Sequence, residues 1–284
     1  MPDSERRSTE GAGHGPRRAA RRRGPAVVVW VIAGVALALL VLPLLAILLS
    51  APWPQLPGLL VAPETLQALG LSVLTGVIST ALCLVLGIPL AVVLARSVSW
   101  SVVPRRLLRA AVTIPLVLPP VVGGLALLLL LGRNGVLGKY LALIGVTIPF
   151  TTGAVVIAQT FVAMPFLVFA VEGALRGADR RVELAAASLG ASSLRVFRTV
   201  TIPLVAPGIA AGAVLCFARA LGEFGATISF AGSYPGITRT LPIASYLASQ
   251  TDLNQSIALA LVLLVVSVAV LLALRDRWLP GVRG

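Results

Sequence analysis

Six long apolar runs, separated by short stretches rich in Pro, Gly or Arg, set the pattern of this chain. They cover residues 26–49, 66–95, 110–131, 148–171, 204–230 and 257–274. A helix crosses a bilayer with about 17–25 mostly apolar residues, so the pattern predicts an all-α, polytopic membrane protein with about six transmembrane helices. The first run carries no charge, and its apolar core exceeds the roughly 7–15 residues of a cleaved signal peptide. Ser50-Ala51-Pro52 resembles a cleavage zone, yet a retained anchor is the expectation. Residues 52–63 read as a Pro-rich loop with Trp53 at the headgroup level. No internal duplication and no separate soluble domain is visible.

The longest polar interruption, residues 176–203, runs from Arg176 through Gly190 to Pro203. Its first half favours a helix with small residues at Ala185 to Ala187, which permit close helix approach. Gly190 permits a turn that a branched residue resists, and a second helix follows. Leu194 and Phe197 supply apolar anchors, while Arg195 and Arg198 offer charge to an acidic rim. The segment reads either as a knob that docks into another protein or as an interfacial loop lying on lipid.

Composition agrees with a bilayer solvent: 58% of residues are hydrophobic and 12% charged, where soluble domains carry about 25% charged residues. Cys83 and Cys216 lie inside apolar runs and read as small core residues rather than a disulfide framework. The single histidine, His14, sits in the amino-terminal tail, so no histidine-based metal or catalytic centre is available. The net charge of +13 is explained by topology and anionic lipid rather than nucleic acid. With both termini cytoplasmic, nineteen basic residues fall on the cytoplasmic side and three, Arg133, Lys139 and Arg239, on the other. That bias is the positive-inside rule. It places the basic tail of residues 1–25, expected to be disordered, residues 176–203 and the tail of residues 276–284 in the cytoplasm. Glu172 and Asp179 are expected at that boundary.

Two charges remain inside the fifth run. Arg219 and Glu223, at i and i+4, share a helix face and can neutralise each other. A mid-bilayer charge costs several kcal/mol unless paired or hydrated. The pair reads either as lining or gating a path or as a structural ion pair. Pro119-Pro120 and Gly123-Gly124 weaken helix hydrogen bonding, and read either as a bending point or as inert kinks. Gln159, Thr160 and Ser229 either wet a pathway or bond a neighbouring helix.

Residues 176–203 resemble the cytoplasmic signature of the membrane subunits of ATP-binding-cassette importers, E-A-A-x-x-x-G, nine residues, then I-x-L-P. Ala185, Ala186, Gly190 and Pro203 occupy matching positions, and Val200 and Ile202 stand in for the expected Ile and Leu. The glutamate slot falls on Leu184, with Glu183 one position early. From Pro115 onward the chain is similar to the oxyanion branch of that family. The carriers are Pro115-Leu-Val-Leu-Pro-Pro-Val-Val-Gly123, Gly132-Arg-Asn-Gly135, Ile148-Pro-Phe-Thr151, Phe217-Ala-Arg-Ala-Leu-Gly-Glu-Phe-Gly-Ala226 and Phe230-Ala-Gly-Ser-Tyr-Pro-Gly236 with Thr240-Leu-Pro242. The last of these most resembles molybdate permeases, with sulfate and tungstate permeases next.

The resemblance implies a type I importer permease fold in the bacterial plasma membrane. It implies a second permease copy, two ATPase subunits and an extracytoplasmic oxyanion-binding protein. It assigns ATPase coupling to Glu183, Ala185, Ala186, Gly190, Arg195, Arg198 and Pro203, and leaves Arg219, Glu223, Pro119 and Pro120 as path or gate candidates. The chain has no G-x-x-x-x-G-K-[ST] loop, so ATP and Mg are expected on the partner, and no cofactor or catalytic residue on this chain. A transporter working alone would instead use Arg219 and Glu223 as coupling charges within broken helices and inverted repeats, and no repeat is seen.

Overall fold

The computed structural model describes residues 27–278; the expected basic tail of residues 1–25 lies outside them. Every regular element among these residues is helical. α1 (Val27–Leu49) is a charge-free apolar rod. The short α2 (Leu56–Val61) leads into α3 (Pro63–Arg96), whose first-turn proline lacks only an N–H that a helix start leaves unpaired anyway. α4 (Val102–Val117) and α5 (Pro120–Leu131) follow, then the short α6 (Gly138–Leu143) and the long α7 (Thr152–Gly177). Thr151 caps α7, its hydroxyl accepting from the Ala154 amide at 3.2 Å.

Beyond α7 come α8 (Arg180–Ser188), α9 (Ser193–Val196) and a π turn (Phe197–Thr201) that runs straight into α10 (Ile202–Leu221). α11 (Gly225–Ala231), α12 (Leu241–Ala248) and α13 (Leu253–Trp278) complete the chain. α13 continues into the stretch expected as the carboxyl-terminal tail, and residues 279–284 lie outside the described ones.

Two of the six apolar runs are not single rods. The run at 110–131 turns through 115° between α4 and α5. A residue before proline is pushed out of the α region, and here two prolines follow one another. Leu118 (ψ 134°) and Pro119 (ψ 131°) are therefore both extended, and the helix restarts at Pro120. The run at 204–230 stops at Leu221 and restarts at Gly225. Five helices are long and apolar enough to cross a membrane, and the bent pair makes a sixth span if counted as one.

α3, α7 and α10 form the centre of the bundle. Small residues set their separation: a Cβ on Gly87 would lie 2.9 Å from Leu167, and one on Gly208 2.3 Å from Ala174. Lipid supplies no hydrophobic drive between helices, so such close backbone approach is what packs them. Leu94, Leu167, Val168, Val171, Cys83 and Cys216 are buried together there, and both cysteines are free. Buried polar groups tie the same helices. The Ser79 hydroxyl donates to Gln159 Oε1 at 3.0 Å, bridging α3 and α7. Ser72 on α3 accepts the Leu241 amide at 2.7 Å, supplying from a distant element the cap that α12 lacks locally.

Candidate functional site

Residues 178–201 build an elbow between α7 and α10. Asp179 caps α8, accepting from the Arg181 amide at 2.9 Å. The other end of α8 is a Schellman motif. Gly190, at φ +84°, lets its own amide donate to Ala187 (3.0 Å) and the Ala191 amide to Ala186 (3.2 Å). Ser192 then caps α9, and the π turn carries the chain into α10. Glycine at 190 is therefore demanded by backbone conformation, as its place in the motif suggested.

The elbow has an inner and an outer face. Glu183 points inward: its Oε1 accepts from the Thr201 hydroxyl at 2.6 Å, and its Oε2 lies 3.9 Å from the Arg96 guanidinium. Thr201 is buried, so this carboxylate pins α8 to the start of α10. Leu184, in the slot the signature gives to glutamate, is 68% exposed, with Leu189 and Leu194 also pointing out. Ala185, Arg195, Arg198 and Pro203 are exposed and Ala186 is half-buried. Neither Arg195 nor Arg198 forms an ion pair among the described residues. Phe197, expected as an anchor, is half-buried, and Val196 beside it is buried.

The second group of candidates meets at the two helix breaks. Arg219 lies in the last turn of α10, and Glu223 lies beyond its end. The two were expected on one continuous helix face. Gly222 ends the helix first, yet the i, i+4 pair survives with Arg219 Nη2 2.7 Å from Glu223 Oε2. Glu223 is 1% exposed, and its Oε1 accepts the Ala226 amide at 2.8 Å. One carboxylate thus neutralises a guanidinium and satisfies the positive end of α11.

Pro119 and Pro120 were weighed as a bending point or as inert kinks, and they make a full corner. It packs on the other break: a Cβ on Gly225 would lie 2.9 Å from Pro120, and one on Gly124 2.6 Å from the Ala226 carbonyl. The four path candidates therefore lie at or beside two helix breaks in close contact. Gly124 was read with the two prolines as part of the possible bending point, but Gly225 was not singled out, since one sequence does not reveal which glycines face each other. Gln159 and Thr160 face the interior and are buried, and Ser229 bonds back to the Gly225 carbonyl within α11.

Sequence reasoning also placed Glu172 merely at a boundary. It is 4% exposed, and its Oε1 receives Arg109 from α4 and Arg176 from the next turn of α7, the latter at 2.7 Å. The i, i+4 spacing to Arg176 was a readable signal; the approach of Arg109 was not. Between α3, α7 and α8 lies a cavity of about 630 Å³ faced by Arg96, Arg176, Arg180, Asp179 and Glu183.

Residues 87–281 match the family described as "Binding-protein-dependent transport system inner membrane component". The Molybdenum transport system permease protein ModB of Mycobacterium tuberculosis is 50% identical over 236 residues, 83% of this chain and 88% of that protein. ModB of Escherichia coli is 44% identical over 63% of this chain and 78% of its own length. ModB of Haemophilus influenzae is 40% identical over 75% of this chain and 93% of its own. Among solved structures, a chain of a bacterial alginate ABC transporter, in complex with its alginate-bound periplasmic protein, superposes with a TM-score of 0.66. It is 16% identical, covering 88% of this chain and 92% of that one. An inward-facing MetNI methionine ABC transporter chain gives 0.56 at 17% identity, covering 74% and 93%. At such identities the likeness is one of fold, that of type I importer permeases. A multi-pass helical chain, an elbow carrying the importer signature and relatives matched over most of their length converge: this chain belongs to the inner-membrane permease component of binding-protein-dependent ABC import systems.

Proposed function

We propose that the chain is the membrane permease of an ATP-driven molybdate importer. It acts as two facing copies beneath an extracytoplasmic binding protein and above two ATPase subunits that hold ATP and Mg. The 50% identity to a molybdenum permease over 83% of the chain carries this reading. The outward leucines of the elbow, with Arg195 and Arg198 that form no ion pair among the described residues, support docking onto an ATPase, because apolar anchors ringed by charge suit a partner's cleft. The basic residues along the elbow support a cytoplasmic position for it, with both termini on that side of a bacterial plasma membrane.

Movement of the docked elbow shifts the ends of α7 and α10 and switches the bundle between inward-open and outward-open states. The chain does no covalent chemistry. The Arg219–Glu223 pair lies beside the corner, where a guanidinium 27% exposed attracts a passing dianion while its carboxylate partner keeps the attraction weak enough for release. Co-expression with a candidate ATPase, copurification, and uptake of molybdate into proteoliposomes that hold ATP inside and have the binding protein outside test the reading. Uptake competed by molybdate but not by sulfate is the expected result. Copurification without any ATPase, or equal transport of sulfate, would count against it.

A further inference from the structure

α4 is a weakly held helix. Of its sixteen residues only Val112 is buried, yet it leads directly into the 115° corner. Its one side-chain hydrogen bond to α7, among the described residues, is the one Arg109 donates to Glu172. Glu172 itself sits near the carboxyl end of α7, immediately before the elbow.

The second arginine makes this arrangement informative. A buried carboxylate needs a compensating charge, and Arg176, one turn away on the same helix, already supplies it at 2.7 Å. Arg109 is not needed for neutrality. Its side chain is 48% exposed and would be well hydrated if released. What Arg109 adds is a polar tie near the end of α7, beyond the apolar contact that Val112 and Leu108 of α4 make with the core around Leu167 and Val168.

We infer that Glu172, through Arg109, is a positioning residue that carries displacement of the elbow into the corner at Pro119–Pro120. The elbow hangs from α7 by two residues, Ala178 and Asp179. A push on it displaces the end of α7, and the Glu172–Arg109 tie makes α4 follow. Without the tie, α4 stays behind and the corner against α11 is not driven. The inference rests on the importer reading above.

The test uses the full permease with its ATPase and binding protein in proteoliposomes. Spin labels are placed at the exposed positions Val117, at the corner, and Ile237, beyond α11, by Val117→Cys and Ile237→Cys, so that they report movement of the corner against α11; the native cysteines are buried. Glu172→Gln and Arg109→Gln should each hydrolyse ATP within about twofold of the parent, while molybdate uptake falls about tenfold. The nucleotide-dependent change in label distance should vanish with it. Arg176→Gln, which leaves the interhelical tie, should keep both. Arg109→Gln also guards against misfolding, because it leaves Glu172 paired with Arg176. Normal uptake and distance change in Glu172→Gln and Arg109→Gln would overturn the inference. So would a parallel loss of hydrolysis, uptake and thermal stability in all three variants, the mark of a merely structural bond. A parent complex that neither binds the ATPase nor imports would bring down the importer reading itself, and this inference with it.

Discussion

Glu183 and Leu184 differ by one position and by about 100° around a helix, and that rotation separates their roles. Glu183 turns in to Thr201 and Arg96; Leu184 turns out. The departure from the family signature is therefore a change in what the outer face presents, while the carboxylate acts inside as a brace. Glu183→Ala should loosen the elbow, seen as faster hydrogen exchange over residues 180–201 with the spanning helices unchanged. The Arg219–Glu223 pair makes a sharper test. Arg219→Gln strands a buried carboxylate, a loss of about 3–5 kcal/mol for a fully buried pair, lessened here because the Ala226 amide still binds it. Melting temperature in detergent should fall while membrane insertion stays normal, and uptake should be impaired. Adding Glu223→Gln should recover most of the stability. If uptake returns as well, the pair is structural; if it does not, Arg219 belongs to the path.

Among elements, the elbow and the corner depend on glycines for different reasons. Gly190 is held at φ +84° with open space around it, so Gly190→Val adds only backbone strain of about 1–2 kcal/mol. That variant should leave the spans intact and reduce copurification of the ATPase. Gly124 is constrained by its neighbour: any side chain meets the backbone of α11. Gly124→Ala should force α5 and α11 apart at about 1–3 kcal/mol, the usual penalty of overpacking, lowering the melting temperature and disturbing the corner. The Schellman turn was legible because a glycine followed a small-residue helix. The corner was legible only as weakness, since Pro-Pro breaks a helix without stating the angle or what packs against it.

For the whole molecule, sidedness is the property most open to a direct check. Cys83 and Cys216 are fully buried, so the native thiols give little background to a membrane-impermeant reagent. A thiol introduced by Ser188→Cys should react in inverted vesicles and stay silent in intact spheroplasts. Labelling from outside would reverse the topology and remove the elbow from any ATPase. Leu189→Asp should abolish copurification of the ATPase without altering the fold, because Leu189 is 88% exposed and buries little against the described residues.

Apolar run length and the placement of arginine were enough to read the membrane-spanning segments and the polar elbow, because burial in lipid and avoidance of unpaired backbone groups act locally along the chain. The motif residues Ala185, Ala186, Gly190 and Pro203 could be recognised because their spacing lies within one continuous segment. Contacts between distant segments could not: Arg109 on Glu172, Ser72 capping α12, and Gly225 against Pro120 join residues far apart in the chain. Their meeting depends on how helices with small faces settle against one another, and that packing is a property of the assembled bundle rather than of any stretch within it.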